Sequence, residues 1–498
     1  MITQLMKIEP RFLFNLILPT GFLIFVLCFM PIEQVFQFDR SDEGIELIKA
    51  SLYSKGFALY TQMWDDQPPL STVMLSGWFH LFGSSILTAR LLTLCFSTIL
   101  VWSFCQTLRI YVGNLSAMIG TIWLIISSDF LRLSVSVMFG LPSLALAMLS
   151  IYTLSLYKQQ PRRALIILSG GLLALSLQIK LFTLFLLPLM IFELLIYDKS
   201  RTGKNLIQSL ISSIFPWSAS LLIVFILMGL LFNSLNYEQL VQAHFSHNVR
   251  VAFNNEHRIG KTLILLLQDF DYLFLAIPGM MVMWQKREWE KCFPLVWLVT
   301  AIVALSNQRP LYYHHYLLLS IPLTWLATYG AKLSLNFFNQ PGWYSNFKLK
   351  HLKKLTWSGL TASLLIFSIL LSPIKLAIVQ AENQSLLTES KSETLIVDTM
   401  LKSKASTKWV FTDWPICAFY SGLLVPLEIA VLSRIRVQSG DISTGQLLSV
   451  LKTYRPEQVL LGKFKSIQIQ LSSYIEQHYL ATQKTHLITH YILKEKND

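Results

Sequence analysis

Apolar residues in this chain fall into long unbroken runs, which recur from Phe12 to Val379, rather than alternating as in a half-buried strand. About 20 consecutive apolar residues are what a helix needs to cross a bilayer core of about 30 Å. Such runs lie at 12–31, 88–110, 113–128, 134–157, 163–179, 181–197, 207–233, 260–283, 293–305, 312–333 and 355–379. They predict an α-helical polytopic membrane protein with about eleven transmembrane helices. The first run follows Lys7 and Arg11, and Leu27-Cys28-Phe29-Met30-Pro31 offers no small-x-small cleavage site. It reads as an anchor helix with a cytoplasmic N-terminus. An odd span count places the termini on opposite sides of the membrane. The connections then assigned to the inside carry Lys158/Arg162/Arg163, Lys199/Arg201/Lys204, Lys286/Arg287/Lys291 and Lys348/Lys350/Lys353/Lys354, as the positive-inside rule requires.

Two regions break the pattern. Residues 32–87 are rich in charge up to Pro68-Pro69, and the apolar stretch Leu70 to Phe82 is too short to span. This segment reads as an outer-face loop with a helix lying along the membrane. From about residue 385 the composition turns soluble, with Lys408–Phe411 and Gln458–Leu461 as strand candidates between helical stretches. The expected organisation is a transmembrane unit over 1–384 and a small α/β extracytoplasmic domain over 385–498. Asp413, before Trp414-Pro415, reads as a helix N-cap. Lys180 sits where two short runs meet and is expected at the outer interface, since a lysine in the hydrocarbon core is costly.

Composition agrees: 53% of residues are hydrophobic, 14% are charged, and the mean hydropathy is +0.51. The net charge of +13 would suggest nucleic acid in a soluble chain, but here the basic residues sit between apolar runs and act as topology signals. No nucleic-acid partner is expected, and membrane lipids are. The five cysteines are scattered without a C-x-x-C pair and read as core fillers.

Chemistry concentrates in the first outer loop. Asp39-Arg40-Ser41-Asp42-Glu43-Gly44 follows the first membrane run, placing Asp42 and Glu43 near the membrane surface. Trp64-Asp65-Asp66-Gln67-Pro68-Pro69-Leu70 adds two acids before a rigid Pro-Pro. On residue types alone, a solvated acidic loop explains these features as well as a site does.

Their order resembles the membrane glycosyltransferases of the GT-C type: Asp-Glu after the first helix, Gly56 and Tyr60, x-Pro-Pro-Leu, then Phe82-Gly83-Ser84 and Arg90. The likeness is closest to the branch holding the protein O-mannosyltransferases and the lipid A aminoarabinose transferases. Arg309-Pro310-Leu311-Tyr312-Tyr313-His314-His315-Tyr316 looks like that family's late outer-face His-Tyr motif. The resemblance implies a polyprenyl-phosphate-linked sugar as donor. It also implies a lipid, glycan or protein acceptor, inversion at the sugar, and a multi-pass location in the plasma (inner) membrane. Asp42 matches the family's general base, and an acceptor hydroxyl does need a fixed carboxylate to take its proton as the C–O bond forms. Glu43 is expected to orient the loop or the acceptor, with Asp66 and Gln67 near substrate.

The chain departs from the family at three places: Gln67 where relatives often carry Lys or His, Ile45 where some carry Arg, and Met138–Pro142 without a second acid. The leaving phosphate still needs cations or donors. The outer-side candidates are Arg90, Lys180, Arg309 and His315, with Tyr316 beside them and Asp129 as a second acid; interfacial anchoring or capping is the competing role for each. No cofactor is expected, although His244-x-x-His247 and His257, near Glu238 and Glu256, raise a divalent metal. A transporter or flippase would more naturally show inverted repeats and broken helices at the midplane, and neither is evident. A non-catalytic scaffold binding a lipid-linked sugar is the remaining rival.

Overall fold

The computed structural model describes residues 12–34, 36, 42–203, 205–338 and 357–494. Lys7, Arg11, Asp39, Arg40, Lys204 and the Lys348–Lys354 cluster lie outside the described residues.

A helix occupies each of the eleven apolar runs. Among the described residues, five helices are long and apolar enough to cross a membrane: Ile86–Val112, Gly140–Gln159, Leu181–Ser200, Leu206–Leu231 and Gly359–Lys402. Shorter apolar helices include Leu13–Phe29, Asn114–Ile125, Arg163–Ile179 and Phe293–Asn307. Leucines and isoleucines such as Leu222, Ile223, Leu227 and Leu230 point outward from the protein on these helices, a surface that lipid rather than water can solvate. The chain is a membrane protein. Its helices approach closely where side chains are small. A Cβ added at Gly279 would lie 2.8 Å from the backbone nitrogen of Gly330, so the Phe270–Gln285 and Leu317–Phe338 helices cross nearly backbone to backbone.

Two runs differ from expectation. The run 260–283 is split into Arg258–Leu267 and Phe270–Gln285, bent by 82°. Asp269 sits at the bend, its carboxylate accepting from Ser128 and Tyr316 and paired with Lys375 at 2.8 Å. A buried carboxylate with that many partners fixes the chain where an uninterrupted helix would strand the charge. The helix of the last run, read as 355–379, is longer than that run: it continues from Trp357 to Lys402, past residue 385 where the composition turns soluble.

Beyond Lys402 the chain folds into a four-stranded sheet of β1 (Val410–Thr412), β2 (Gln458–Leu461), β3 (Tyr479–Lys484) and β4 (Thr489–Leu493), in the order β1-β2-β4-β3. β1 and β2 are parallel, with Phe411 opposite Val459, and the other pairs are antiparallel. Asp413 does not cap the Pro415–Ser421 helix. Its two oxygens accept from the backbone N–H groups of Gly462 and Phe464 at 2.9 and 2.8 Å, bracing the turn after β2. One hydrophobic core joins Phe411, Ile416 and Leu460 of this unit to Leu47, Ile48, Leu75 and Phe79 of the helices Asp42–Ser54 and Leu70–Phe82. That shared core holds the Asp42–Ser54 helix over the ends of the membrane helices.

Candidate active site

The Asp42–Ser54 helix begins with two acids in its first turn, where the helix dipole favours negative charge. Its two sides do different things. Glu43 faces inward and is fully buried, bound by both arms of Arg90: Nε to Oε1 at 2.9 Å and Nη2 to Oε2 at 3.0 Å. The same guanidinium donates to the carbonyls of Ile32, Gln34 and Phe36. Arg90, itself wholly buried, is therefore committed to shaping the entry into the loop. This corrects the expectation that it receives a phosphate, and Glu43 is the anchor of the helix rather than a group facing substrate.

The other side carries Asp42, Glu46 and Lys49, spaced four and three apart so that they share a face. Lys49 Nζ lies 2.9 Å from Asp65 Oδ1 and 3.0 Å from Glu46 Oε2, and 4.6 Å from the ring centre of Phe139. Two carboxylates thus share one ammonium. Burial pushes the Glu46 carboxyl up to about 8, Lys49 pulling it down and the charges of Asp65 and Asp42 raising it further. Burial likewise raises Asp65 to about 6 against the pull of Lys49.

Asp65 also orients the residues before Pro68-Pro69. Its Oδ1 accepts the backbone N–H of Gln67, while its own N–H donates to Gln239. Tyr60 donates its hydroxyl to the Gln67 carbonyl at 2.8 Å. Gln67 and Asp66 then meet His244, at 3.3 Å between Nε2 atoms and at 3.4 Å to Oδ2. Burial alone would raise Asp66, but the hydrogen bond and charge of His244 hold it below the usual carboxylate range.

The late His-Tyr motif closes the site from the other side. His315 is buried, its Nδ1 accepting from the Tyr312 N–H at 3.3 Å, and its ring lies 4.6 Å from that of His314. Burial, then the charges of His314, Lys180 and His244, push its pKa well below the ordinary value. His315 is held neutral here. Burial and the charges of Asp42, Asp66 and Glu256 raise the Tyr312 hydroxyl, against the opposing charge of Arg434. Asp66 and Gln67 thus meet His244, the charges of Asp42, Asp66 and Arg434 act on Tyr312, and those of Lys180 and His244 act on His315.

Other expected residues lie elsewhere. Arg309 is half-buried and donates to the Arg250 carbonyl and Asn254, tying two loops together. Asp129 pairs with Arg132 at 2.6 Å, and Tyr316 donates to Asp269. His244 and His247 do not share a helical face, because the helix ends at Phe245 and Ser246 caps a new one. Among the described residues, no group of three or more His, Cys, Asp or Glu is placed to hold a metal ion. The sequence reading missed Glu46 and Lys49, which their spacing from Asp42 on an otherwise apolar helix would have flagged, and Arg434, which no local signal marks.

Comparison with known proteins places this arrangement in context. The sequence model of the dolichyl-phosphate-mannose-protein mannosyltransferase family matches residues 66–233. No curated protein matches the sequence significantly. The fold is similar to the crystal structure of ArnT from Cupriavidus metallidurans in the apo state, with TM-score 0.63 at 11% identity, covering 95% of this chain and 98% of that one. ArnT bound to undecaprenyl phosphate gives TM-score 0.60, at 11% identity over 95% and 97% of the two chains. The Archaeoglobus fulgidus oligosaccharyltransferase, tethered to an acceptor peptide, gives 0.54 at 11% identity over 98% of this chain and 75% of that one.

Proposed function

Because the chain has the fold of the GT-C membrane glycosyltransferases and resembles their protein O-mannosyltransferase and aminoarabinose transferase branch, we propose that it transfers a sugar from a polyprenyl-phosphate donor to an acceptor hydroxyl. The observation that carries this is Asp42. It stands half-buried at the start of a helix locked from behind by Glu43–Arg90, and its charge acts on Glu46 and on Tyr312, which the charge of Asp66 also reaches.

In the reaction, the acceptor oxygen attacks the anomeric carbon as its proton passes to the Asp42 carboxylate. The bond from that carbon to the phosphate oxygen breaks, and the polyprenyl phosphate leaves with the electron pair. Attack from the face opposite the phosphate inverts the sugar. Negative charge grows on the leaving phosphate, so donors must be fixed where it develops. Lys180, the His244 ring and the Gln67 amide fill that role in place of the Lys or His that relatives carry before Pro-Pro. Asp66 holds His244 in position, its Oδ2 lying 3.4 Å from the ring Nε2.

The variant Asp42→Asn keeps the shape and removes the base. Transfer should fall by roughly 10²–10⁴ while the thermal unfolding midpoint stays close to wild type. Mass spectrometry of lipid-linked sugars and surface glycans in cells carrying each form measures it. Near wild-type turnover in Asp42→Asn would remove the base assignment.

A further inference from the structure

Tyr313 of the Tyr312–Tyr316 turn lines a cavity of about 440 Å³, together with Ser128, Asp129, Arg132, Gln268 and Glu382 among others. We propose that this cavity is an acceptor subsite for a neutral, polyhydroxylated sugar, an inference that rests on the glycosyl transfer proposed above.

Two observations point to such a ligand. Arg132 Nε and Gln268 Oε1 are buried without a hydrogen-bond partner, on two residues that line the same cavity. An unmade buried hydrogen bond costs about 1–3 kcal/mol, and here one orphan is a donor and the other an acceptor. A hydroxyl serves both, and neighbouring hydroxyls on a sugar ring can serve the two at once. The second observation is charge. Arg132 is paired with Asp129 at 2.6 Å and Glu382 at 3.2 Å, and Lys375 with Asp269 and Asp271, each at 2.8 Å. Four carboxylates surround two cations, so an anion such as a phosphate is repelled, whereas a neutral ligand can hydrogen-bond to both signs.

The position suits an acceptor. Tyr313, in the cavity wall and 5.4 Å from the Arg132 guanidinium, is next in sequence to Tyr312, whose hydroxyl feels the charge of Asp42. Lys180 and His244 act on His315 from the Gln67 side. The candidate donor-phosphate groups and the cavity thus flank one short turn.

Saturation-transfer NMR on the full chain in lipid nanodiscs, with a panel of neutral methyl hexopyranosides and inorganic phosphate as probes, tests this. At least one methyl glycoside should bind the wild type, and phosphate should not displace it. The variant Gln268→Ala should weaken that binding roughly tenfold, the effect of one lost hydrogen bond. Ile378 lines the cavity and is 55% exposed, so Ile378→Trp should fill the space without disturbing folding, which the thermal midpoint checks. Binding of no glycoside, unchanged binding in both variants, or displacement by phosphate overturns the subsite. Transfer activity with unchanged glycoside binding in the variants would discard the subsite and leave the proposed function standing. Glycoside binding lost in the variants, with no transfer from any polyprenyl-phosphate sugar, would keep the ligand class and discard the function.

Discussion

Lys49 faces two carboxylates, Glu46 and Asp65, so the trio would carry a net negative charge in a buried place if every group ionised. Burial relieves this at Glu46, which it lifts to about 8 so that the group keeps its proton at neutral pH, while Asp65, beside Lys49, is lifted only to about 6. A raised acid binds its proton more tightly folded than unfolded, so its stabilising contribution is complete below the unfolded value of about 4.5 and is lost as pH rises through about 8. The thermal midpoint should therefore fall between pH 5 and pH 9, and Glu46→Gln should flatten that decline because its amide never ionises. Scanning calorimetry across that range decides it, and an equally steep decline in the variant would show that Glu46 is not the group responsible. These residues also show what the sequence discloses. The proposed site residues Asp42, Asp66, Gln67 and His315 stand in ordered motifs, which is why the sequence marks them as candidates. Arg90 was legible as important but not in its role, because the carbonyls it binds lie 54 to 58 residues away. Likewise His244 reaches Gln67 across 177 residues of sequence, a pairing that only the fold creates.

Elements explain why the acidic helix holds still. Gly44, directly after the Asp-Glu pair, faces the Pro415–Ser421 helix, and a Cβ there would lie 2.6 Å from the Ile416 backbone nitrogen and 3.1 Å from its Cα. Tyr420 on that helix donates to the Gln34 carbonyl at 2.6 Å, and Phe419 stacks on Phe79 at 5.7 Å. The C-terminal unit thus clamps both the start of the loop and the helix after Pro68-Pro69. Gly44→Ala forces backbone apart, and overpacking of this kind costs about 1–3 kcal/mol. It should lower the thermal midpoint and reduce transfer although no reacting group is touched; wild-type values for both would mean the clamp is looser than described. The membrane helices were readable because a run of apolar residues is a strong signal. Strands β1 and β2 were readable for the same reason, being buried throughout. β3 was not, since most of its residues after Tyr479 are exposed and polar. The bend at Asp269 escaped notice because the acid's partners, Ser128 and Lys375, lie 141 and 106 residues away.

Across the whole molecule, side-chain bonds sort the connections into two sets that alternate along the chain. One set meets at the candidate site's end: Ile32, Gln34 and Phe36 with Arg90, Glu43 with Val137, Gln67 with His244, Ser128 with Gln268, and Leu311 with Glu256. The other set meets at the opposite helix ends, where Gln106 reaches Asn15, Lys158 pairs with Glu193, and Tyr329 donates to the Lys291 carbonyl. Acids and histidines crowd the first end. At the second lie Arg109, Lys158, Arg162, Arg163, Lys286, Arg287 and Lys291. Basic clusters in short connections are retained on the cytoplasmic side, so the orientation we propose puts the second end in the cytoplasm and the candidate site outside. A helix running from Trp357 to Lys402 then carries the C-terminal unit to the site's side, where its clamp on Gly44 requires it to be. A reporter active only outside the cytoplasm should therefore be active when fused after Asp498, and one active only inside should be silent there but active when fused within the Lys158–Arg163 connection. The reverse result at both positions would invert the molecule and place Asp42 on the cytoplasmic side, away from any extracytoplasmic acceptor.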